Sequence, residues 1–171
     1  MSARQEEFER VAMPHTRSLL RVARRLASDV SAAEDLVQDT LLSAWRGFHQ
    51  LRADANAQAW LFRILFNAWY ARGRKVRSVP VMMPLHDESS VISPRFDEAM
   101  EVSRALDSLE VEHRTVLMLG VVEGFTCRET AEILSIPVGT VMSRLSRARQ
   151  AMRARLNARS PAEECVEKEA S

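Results

Sequence analysis

The sequence lacks most of the features that mark metal proteins, secreted proteins and membrane proteins. Its two cysteines, Cys127 and Cys165, belong to no CxxC pair and have no pair of histidines nearby, so we expect neither a zinc site nor a disulfide. The longest apolar run, 116–122, has seven residues, whereas a membrane-spanning helix needs about 20. The N-terminus has three glutamates in place of a basic, apolar targeting signal. We therefore expect a cytoplasmic protein without membrane insertion.

Catalytic motifs are missing as well. The four histidines are scattered, the five glycines form no phosphate-binding loop, and neither HExxH nor GxSxG occurs. The sequence therefore predicts no enzyme activity, no cofactor and no bound metal. By contrast, 46% of the 171 residues are hydrophobic and 27% are charged, close to the average of soluble globular proteins. The chain is expected to fold into one or two domains.

Lysine is nearly absent among the cations. Of 24 basic residues only Lys75 and Lys168 are lysines, and the other 22 are arginines, which suit planar contacts with phosphates and guanines. The net charge is also segregated, with values of +5, −3, +2 and −3 over 1–78, 79–98, 99–159 and 160–171. This pattern favours a nucleic-acid partner, although the arginine bias of a GC-rich genome explains the composition equally well.

A proline-containing segment divides the chain. Residues 79–94 contain three prolines and a polar cluster, without helical or alternating periodicity. We therefore expect a linker at 77–96 between two small helical domains at 6–76 and 97–159. The acidic residues 160–171 are expected to form a disordered tail.

Apolar residues recur at helical spacing in both predicted domains, and strands have no obvious place. The predicted helices cover 6–28, 32–48, 56–75, 97–109, 111–122, 127–134 and 138–157. Pro14 falls inside the first of them, so that helix is expected to start after it or to kink there. Ser31 with Glu34, and Thr126 with Glu129, form capping-box patterns at the start of two other helices. The fold class is therefore predicted to be all-α.

Residues 127–157 match a helix-turn-helix, in which the second helix enters the major groove of DNA. Gly124 marks the end of the preceding helix, and Pro137 suits the turn between the two helices. The residues with the spacing to pack where these helices cross are Ala131, Ile136 and Val141.

The second of these helices is strongly basic. It carries six arginines and no acidic residue between 138 and 159, beside an apolar stripe through Val141 and Leu145. Thr140 and Ser143 lie in its first turns, where a docked recognition helix contacts base edges, while arginines contact phosphates or guanine. A solvated basic face is the alternative. Six cations without a compensating acid favour DNA binding.

Five of the ten aromatic residues lie between 60 and 70, interleaved with basic residues. Rings beside arginines suit stacking on unpaired bases along a single strand. The same segment also makes a plausible core stripe with Leu61, Ile64 and Leu65. On chemistry alone, burial of most of these rings is the expected outcome.

Four motifs, in order and with the right separation, resemble those of bacterial extracytoplasmic-function (group 4) RNA polymerase sigma factors of the sigma-70 family. They are Glu34 to Asp39 followed by Trp45, Ala59 to Ile64 with Asn67, Glu123 to Thr126, and Pro137 to Arg149. The match covers about 8–157. The run from Pro137 to Leu145 also resembles the general-stress branch of this family.

The resemblance implies an initiation factor that directs core RNA polymerase to promoters by recognising −10 and −35 elements, under the control of an anti-sigma factor. Residues 6–76 would be region 2, which binds the β′ clamp helices and helps melt the −10 element. Residues 97–159 would be region 4, which binds the −35 major groove and the β flap. Ala71 stands where many relatives have aspartate, and Gly120 and Met142 stand where some relatives have arginines that face the −35 element. The promoter sequence therefore cannot be carried over from a relative.

The resemblance also implies three sets of site residues. The −35 element would contact Thr140, Ser143, Arg144, Arg147, Arg149 and Arg153. The −10 element would contact Asn56, Trp60, Arg63, Asn67, Arg72 and Arg74. Core polymerase would bind Asp35, Gln38, Asp39, Leu42 and Trp45. Without the resemblance, the polar face in this third set would indicate only an exposed helix surface.

The spacing of the two predicted domains agrees with this function. A linker of 20 residues reaches at most about 66 Å, and elements about 17 base pairs apart are separated by about 58 Å. A free-standing helix-turn-helix repressor or activator is the closest rival, but such proteins usually dimerise, and this sequence has no dimerising heptads. A helical adaptor without a DNA role would leave the basic helix unexplained.

Overall fold

The computed structural model describes residues 2–52, 54–76 and 94–157, which contain helices, turns and short connections but no strand. The α-helices in these ranges are α1 (Ala3–Ala12), α2 (Thr16–Leu26), α3 (Val30–Gly47), α4 (Ala57–Val76), α5 (Pro94–Asp107), α6 (Val111–Leu117), α7 (Cys127–Leu134) and α8 (Val138–Asn157). A π-helical segment, Met118–Val122, continues α6, and a 3-10 turn, Phe48–Gln50, follows α3. The all-α prediction is confirmed.

The predicted linker and tail lie largely outside the described residues. Helix α5 begins at Pro94 and not at 97, so the last part of the predicted linker, 77–96, is helical. Proline is favoured in the first turn of a helix because its missing N–H would have no partner there. The predicted tail, 160–171, is entirely outside the described ranges.

The first predicted helix, 6–28, consists of two helices. A 3-10 turn at Met13–His15 contains Pro14 and separates α1 from α2. Proline cannot donate a backbone hydrogen bond, and its ring clashes with the carbonyl group four residues earlier, so the α-helical ladder is interrupted there. The prediction that Pro14 interrupts the first helical pattern is confirmed, and α2 starts after it.

The N-cap residue of α3 lies two positions before the predicted one. The side chain of Asp29 accepts a hydrogen bond from the Ala32 N–H at 2.8 Å and caps the helix, while Ser31 lies inside the first turn. This bond and a second one from Ser28 lower the pKa of Asp29. The predicted Ser31 cap is therefore wrong. Asp29 also satisfies an otherwise unpaired N–H at the helix start, which is the physical role of an N-cap.

Helix α7 has the predicted capping box. The hydroxyl oxygen of Thr126 accepts from the Glu129 N–H at 3.2 Å, and Glu129 accepts from the Thr126 N–H at 2.9 Å. The bond from the Thr126 N–H, and a second one that the Thr126 hydroxyl donates to the same carboxylate, lower the pKa of Glu129. Gly124, which precedes the cap, has a φ of 77°, a conformation that glycine adopts without strain and that ends the preceding helical segment as predicted.

The two helices of the predicted helix-turn-helix pack together. Ala131 and Val141 are buried, and Ile136 packs against the same core. Ser135 ends α7 in the left-handed region with a φ of 55°, and the Pro137 carbonyl oxygen then accepts hydrogen bonds from the first turn of α8. The helix-turn-helix prediction is confirmed by this geometry.

The N-terminal four helices enclose their own apolar side chains. Helix α3 packs against both α2 and α4. Residues 61, 62, 65 and 66 of α4 are fully buried, and this recurrence places them on one side of the helix. Each such side chain contributes about 1.5–3 kcal/mol when buried. Other buried members are Leu19, Val22, Leu36 and Val37.

The N-terminal and C-terminal groups of helices also pack against each other. Helix α4 contacts α7, and the rings of Phe62 and Phe125 meet edge to face with centroids 5.4 Å apart. Arg21 of α2 donates a hydrogen bond to the Glu123 carboxylate at 2.9 Å. The apolar core is therefore continuous between the two halves of the protein, a point on which the sequence makes no prediction.

Candidate nucleic-acid and polymerase interface

Helix α8 has one packed side and one exposed side. Val141, Leu145 and Ala148 are buried, as their stripe predicts. The exposed residues of the predicted −35 set are Ser143, Arg147, Arg149 and Arg153. Thr140 is half-buried, and its backbone N–H donates to the Pro137 carbonyl oxygen at 2.9 Å. Three arginines and a serine of the predicted set are therefore exposed on this helix.

Arg144 is placed differently from the rest of the predicted −35 set. Its guanidinium forms an ion pair with Glu112 of α6, and only 24% of its side chain is exposed. The same pair lies near Tyr70 of α4, where burial raises the pKa of the phenol and the Arg144 charge opposes the shift. Arg144 therefore joins α8 to α6 and stands apart from the exposed arginines.

The aromatic rings of α4 divide between core and surface. Phe62 and Phe66 are fully buried, Trp60 and Trp69 are half-buried, and Tyr70 is 43% exposed. Most of these rings were expected to be buried, but only two of the five are fully buried. The other three retain exposed surface.

The polar members of the predicted −10 set fall into three groups. Arg63 and Asn67 are exposed on α4. Arg72 is engaged with α3, through an ion pair with Asp39 and a hydrogen bond to the Ala32 carbonyl oxygen at 3.4 Å. The side chain of Arg74 lies outside the described part of the chain. Among the described residues of the −10 set, Arg63 and Asn67 are thus the ones whose polar groups are exposed and have no partner on another helix.

Asn56, the remaining −10 candidate, has two structural roles. Its side-chain oxygen accepts from the Ala59 N–H at 3.0 Å and caps α4, and its side-chain N–H donates to Glu129 at 3.1 Å. Glu129 is itself part of the capping box of α7. The starts of α4 and α7 are therefore joined by one side-chain hydrogen bond between two caps.

The predicted polymerase-binding face lies on α3. Asp35, Gln38 and Asp39 are exposed, and Leu42, one turn further on, is 48% exposed. These side chains form a continuous surface because residues three and four apart are neighbours on a helix. An apolar residue surrounded by carboxylates and an amide is compatible with a protein partner.

Trp45 differs from the other members of this set. Its ring packs edge to face on buried Phe8, with centroids 5.3 Å apart, and the Arg4 guanidinium lies 4.9 Å from the ring centroid. The half-buried indole is therefore held between α1 and α3. Its partner Phe8 lies on another helix, so local periodicity does not predict this contact.

A charged cluster between the two halves of the protein was missed by the sequence predictions. Asp107 of α5 accepts from Arg25 of α2 at 2.6 Å, and its carboxylate is 3.8 Å from Arg114 of α6. Burial lowers the pKa of Arg114, and the Asp107 charge opposes that shift. Arg25 also donates to the Ser103 hydroxyl at 2.9 Å. No local pattern could reveal this cluster, because Arg25 and Asp107 are 82 residues apart.

Two kinds of feature are not found in the described ranges. No three histidine, cysteine, aspartate or glutamate side chains come together there as a metal site. None of the helices in those ranges is long and apolar enough to cross a bilayer.

Comparison with known proteins identifies both halves. The family models for Sigma-70 region 2 and Sigma-70, region 4 match residues 11–79 and 99–152. The ECF RNA polymerase sigma factor SigM of Mycobacterium tuberculosis is 38% identical over 144 residues, which cover 83% of this chain and 73% of that protein. EcfG of Rhodopseudomonas palustris is 34% identical over 143 residues, which cover 81% of this chain and 79% of that protein.

Solved structures agree with the sequence relatives. The sigma factor RpoE in complex with the anti-sigma factor NepR, from Bartonella quintana, matches 90% of this chain and 99% of its own with a TM-score of 0.73 and 29% identity. CnrH in complex with the cytosolic domain of CnrY matches 91% of this chain and 90% of its own with a TM-score of 0.67 and 27% identity. Both halves, their order and the named relatives agree: the chain belongs to the ECF RNA polymerase sigma factors, which select promoters for transcription initiation and are not enzymes.

Proposed function

We propose that this sigma factor works in the cytoplasm and divides its three tasks among α3, α4 and α8. The exposed face of α3, defined by Asp35, Gln38, Asp39 and Leu42, binds the β′ clamp helices of core polymerase. Helix α4 binds the melted −10 element, and α8 binds the major groove of the −35 element. The observation that carries this proposal is α8, which combines a buried apolar side with exposed arginines and has no acidic residue.

Helix α4 carries groups that can bind unpaired bases. The half-buried ring of Trp60 offers a face for stacking, and exposed Arg63 and Asn67 offer donors to phosphates and base edges. Asn56 already donates one of its two side-chain N–H groups to Glu129, so only the other is free to contact a base or phosphate. Unpaired bases exist only in melted DNA, so this surface acts late in promoter binding.

Binding both promoter elements at once requires the two halves of the protein to separate. Helices α4 and α7 are in direct contact, whereas elements about 17 base pairs apart are separated by about 58 Å at 3.4 Å per base pair. At about 3.3 Å per residue, the 17 residues between α4 and α5 reach about 56 Å when extended, close to that separation. We infer that the packed arrangement is the free form and that the polymerase-bound form is open.

An anti-sigma factor is the expected regulator. The solved relatives RpoE and CnrH are both found in complexes, with NepR described as an anti-sigma factor and CnrY contributing its cytosolic domain. A partner that held α4 against α7 would keep this chain from spanning a promoter. We therefore propose regulation by an anti-sigma factor that covers region 2, region 4 or both.

Transcription from defined components tests the proposed function. The free chain should bind duplex promoter DNA weakly and with strong salt dependence, because its basic excess is modest and no bases are unpaired. Core polymerase with this chain should initiate from a discrete set of sites on fragmented genomic DNA, and core polymerase alone should not. Tight, sequence-selective binding by the chain alone at physiological salt would instead indicate a free-standing repressor or activator.

Two arginines of α8 should differ in their effect on DNA binding. Arg147 is exposed one turn after Ser143 and is expected to contact base edges, whereas exposed Arg153 lies further along the helix and is expected to contact phosphates. Arg147→Ala should cost about 1–3 kcal/mol and relax the preference at one or two base pairs, while Arg153→Ala should weaken all sequences alike and lower the salt slope by about one unit. Holoenzyme binding to a panel of −35 variants measures both. An unchanged base preference in Arg147→Ala would refute the assignment.

A further inference from the structure

The first turns of α8 present a surface without charge. From 138 to 146 the exposed residues are Val138, Gly139, Met142, Ser143 and Ser146, because Arg144 is half-buried in its ion pair with Glu112. The exposed arginines begin only at Arg147. The part of a recognition helix that contacts base edges is its N-terminal part. Direct contacts by this part must therefore come from small, hydroxyl or apolar groups.

Met142 is the most prominent group on this surface. Its exposed fraction of 58% is the highest among the exposed large hydrophobic side chains in the described ranges, and Val138, one turn earlier, is 39% exposed. Residues four apart are neighbours on a helix, so the two side chains form one apolar strip next to Ser143. The core of α8 uses Val141 and Leu145 instead, so the fold gives Met142 no packing role.

The major groove offers one apolar partner for such a strip. Among the base edges, only thymine presents a methyl group, while guanine, adenine and cytosine present hydrogen-bond donors and acceptors alone. The thioether of methionine is at best a weak acceptor and has no donor, so it leaves polar base edges unsatisfied when it covers them. Its unbranched, flexible chain can adapt to the position of a methyl group.

We propose that Met142 is a specificity-determining residue that contacts the 5-methyl group of a thymine in the −35 element. The proposal rests on the proposed docking of α8 in the major groove. Val138 extends the apolar contact, Arg147 contacts a neighbouring base edge, and arginines further along, such as Arg153, hold the helix on the flanking phosphates. The thymine is thus selected by its methyl group, and bases with only polar edges at that position are disfavoured.

Replacing thymine by uracil tests this contact directly, because the two bases differ only in the methyl group. Holoenzyme containing this chain is first used to select promoter duplexes from a library randomised across the −35 element. Each thymine of the selected element is then replaced singly by uracil. For the unmodified chain, one position should lose about fourfold in affinity, the factor that corresponds to one buried CH₂-sized group.

Variants of the protein remove the other side of the proposed contact. Met142→Ala should bind the thymine promoter about as weakly as the unmodified chain binds the uracil promoter, and it should no longer respond to uracil at that position. Met142→Leu should keep the response, because it keeps an apolar side chain. Gln150→Ala, a change at another exposed residue of α8, is the matched control and should leave the methyl response intact. Thermal unfolding of all three variants verifies that they remain folded.

The outcomes separate this proposal from the proposed function. Failure of the holoenzyme to select any promoter would contradict the proposed function itself. Selective binding in which no thymine responds to loss of its methyl group, or in which Met142→Ala keeps the full response, would overturn the role of Met142 and leave the sigma-factor function in place.

Discussion

Joining the two halves of the free protein by a cross-link is expected to abolish transcription from promoters that require both elements. Arg21 and Glu123 lie on opposite sides of the contact between the halves, and their side chains are 2.9 Å apart. A variant with Arg21→Cys and Glu123→Cys, in a background of Cys127→Ser and Cys165→Ser, can be joined by a short bis-maleimide linked through a disulfide. Joined halves cannot span about 58 Å of promoter DNA.

The measurement is run-off transcription with core polymerase before and after reduction of the cross-linker. Activity should be lost on cross-linking and restored by the reductant. The matched control joins Ser18→Cys to Arg21→Cys, two neighbouring positions on α2, and should retain activity because both ends lie in the same half. Full activity of the Arg21–Glu123 cross-linked protein would show that the halves need not separate.

Removing the two exposed carboxylates of α3, those of Asp35 and Asp39, is expected to weaken the binding of core polymerase strongly. Asp35→Ala with Asp39→Ala should weaken association with core polymerase about tenfold to a hundredfold, since charged groups at the centre of an interface commonly contribute a kcal/mol or more each. Folding should be nearly unaffected. The ion pair between Asp39 and Arg72 is broken, but 57% and 37% of these side chains are exposed, and such pairs contribute about 0–1 kcal/mol.

Affinity for core polymerase and urea unfolding should be measured on the same variants. Glu6→Ala with Glu7→Ala is the matched control, because it removes two exposed carboxylates from α1 and changes the net charge equally. That control should bind core polymerase like the unmodified chain. A double variant of Asp35 and Asp39 that binds normally would show that this face is not the docking surface. One that unfolds at much lower urea would show that the two carboxylates have a structural role instead.

The sequence predicted the features that depend on residues close together in the chain. The capping box of Thr126 and Glu129, the helix end at Gly124 and the helix break at Pro14 each involve contacts within about one helical turn. The buried stripe of α8 follows from the 3.6-residue period alone. Where the sequence was wrong, at Ser31, two residues near the same helix end could both serve as cap, and side-chain type does not choose between Asp29 and Ser31.

The resemblance to a family supplied what periodicity could not. The polar face of α3 has no feature that marks it as a polymerase surface, and exposed residues such as Gln38 are common on any helix. Motif order and spacing carried the assignment to the sigma factors, and the named relatives bear it out. The individual site residues remain predictions that the variants above test.

Sequence alone thus determined the helices, their buried faces and the basic character of α8, because each follows from the local period and from residue type. Only the tertiary structure decided that two candidate residues are engaged elsewhere, Arg144 with Glu112 and Asn56 with Glu129. It also revealed the cluster of Asp107 with Arg25 and Arg114, which no candidate set contained. Arg144 and Glu112 are 32 residues apart in the chain, Asn56 and Glu129 are 73 apart, and Arg25 and Asp107 are 82 apart. Their meeting depends on how whole helices pack, and no local pattern encodes that packing.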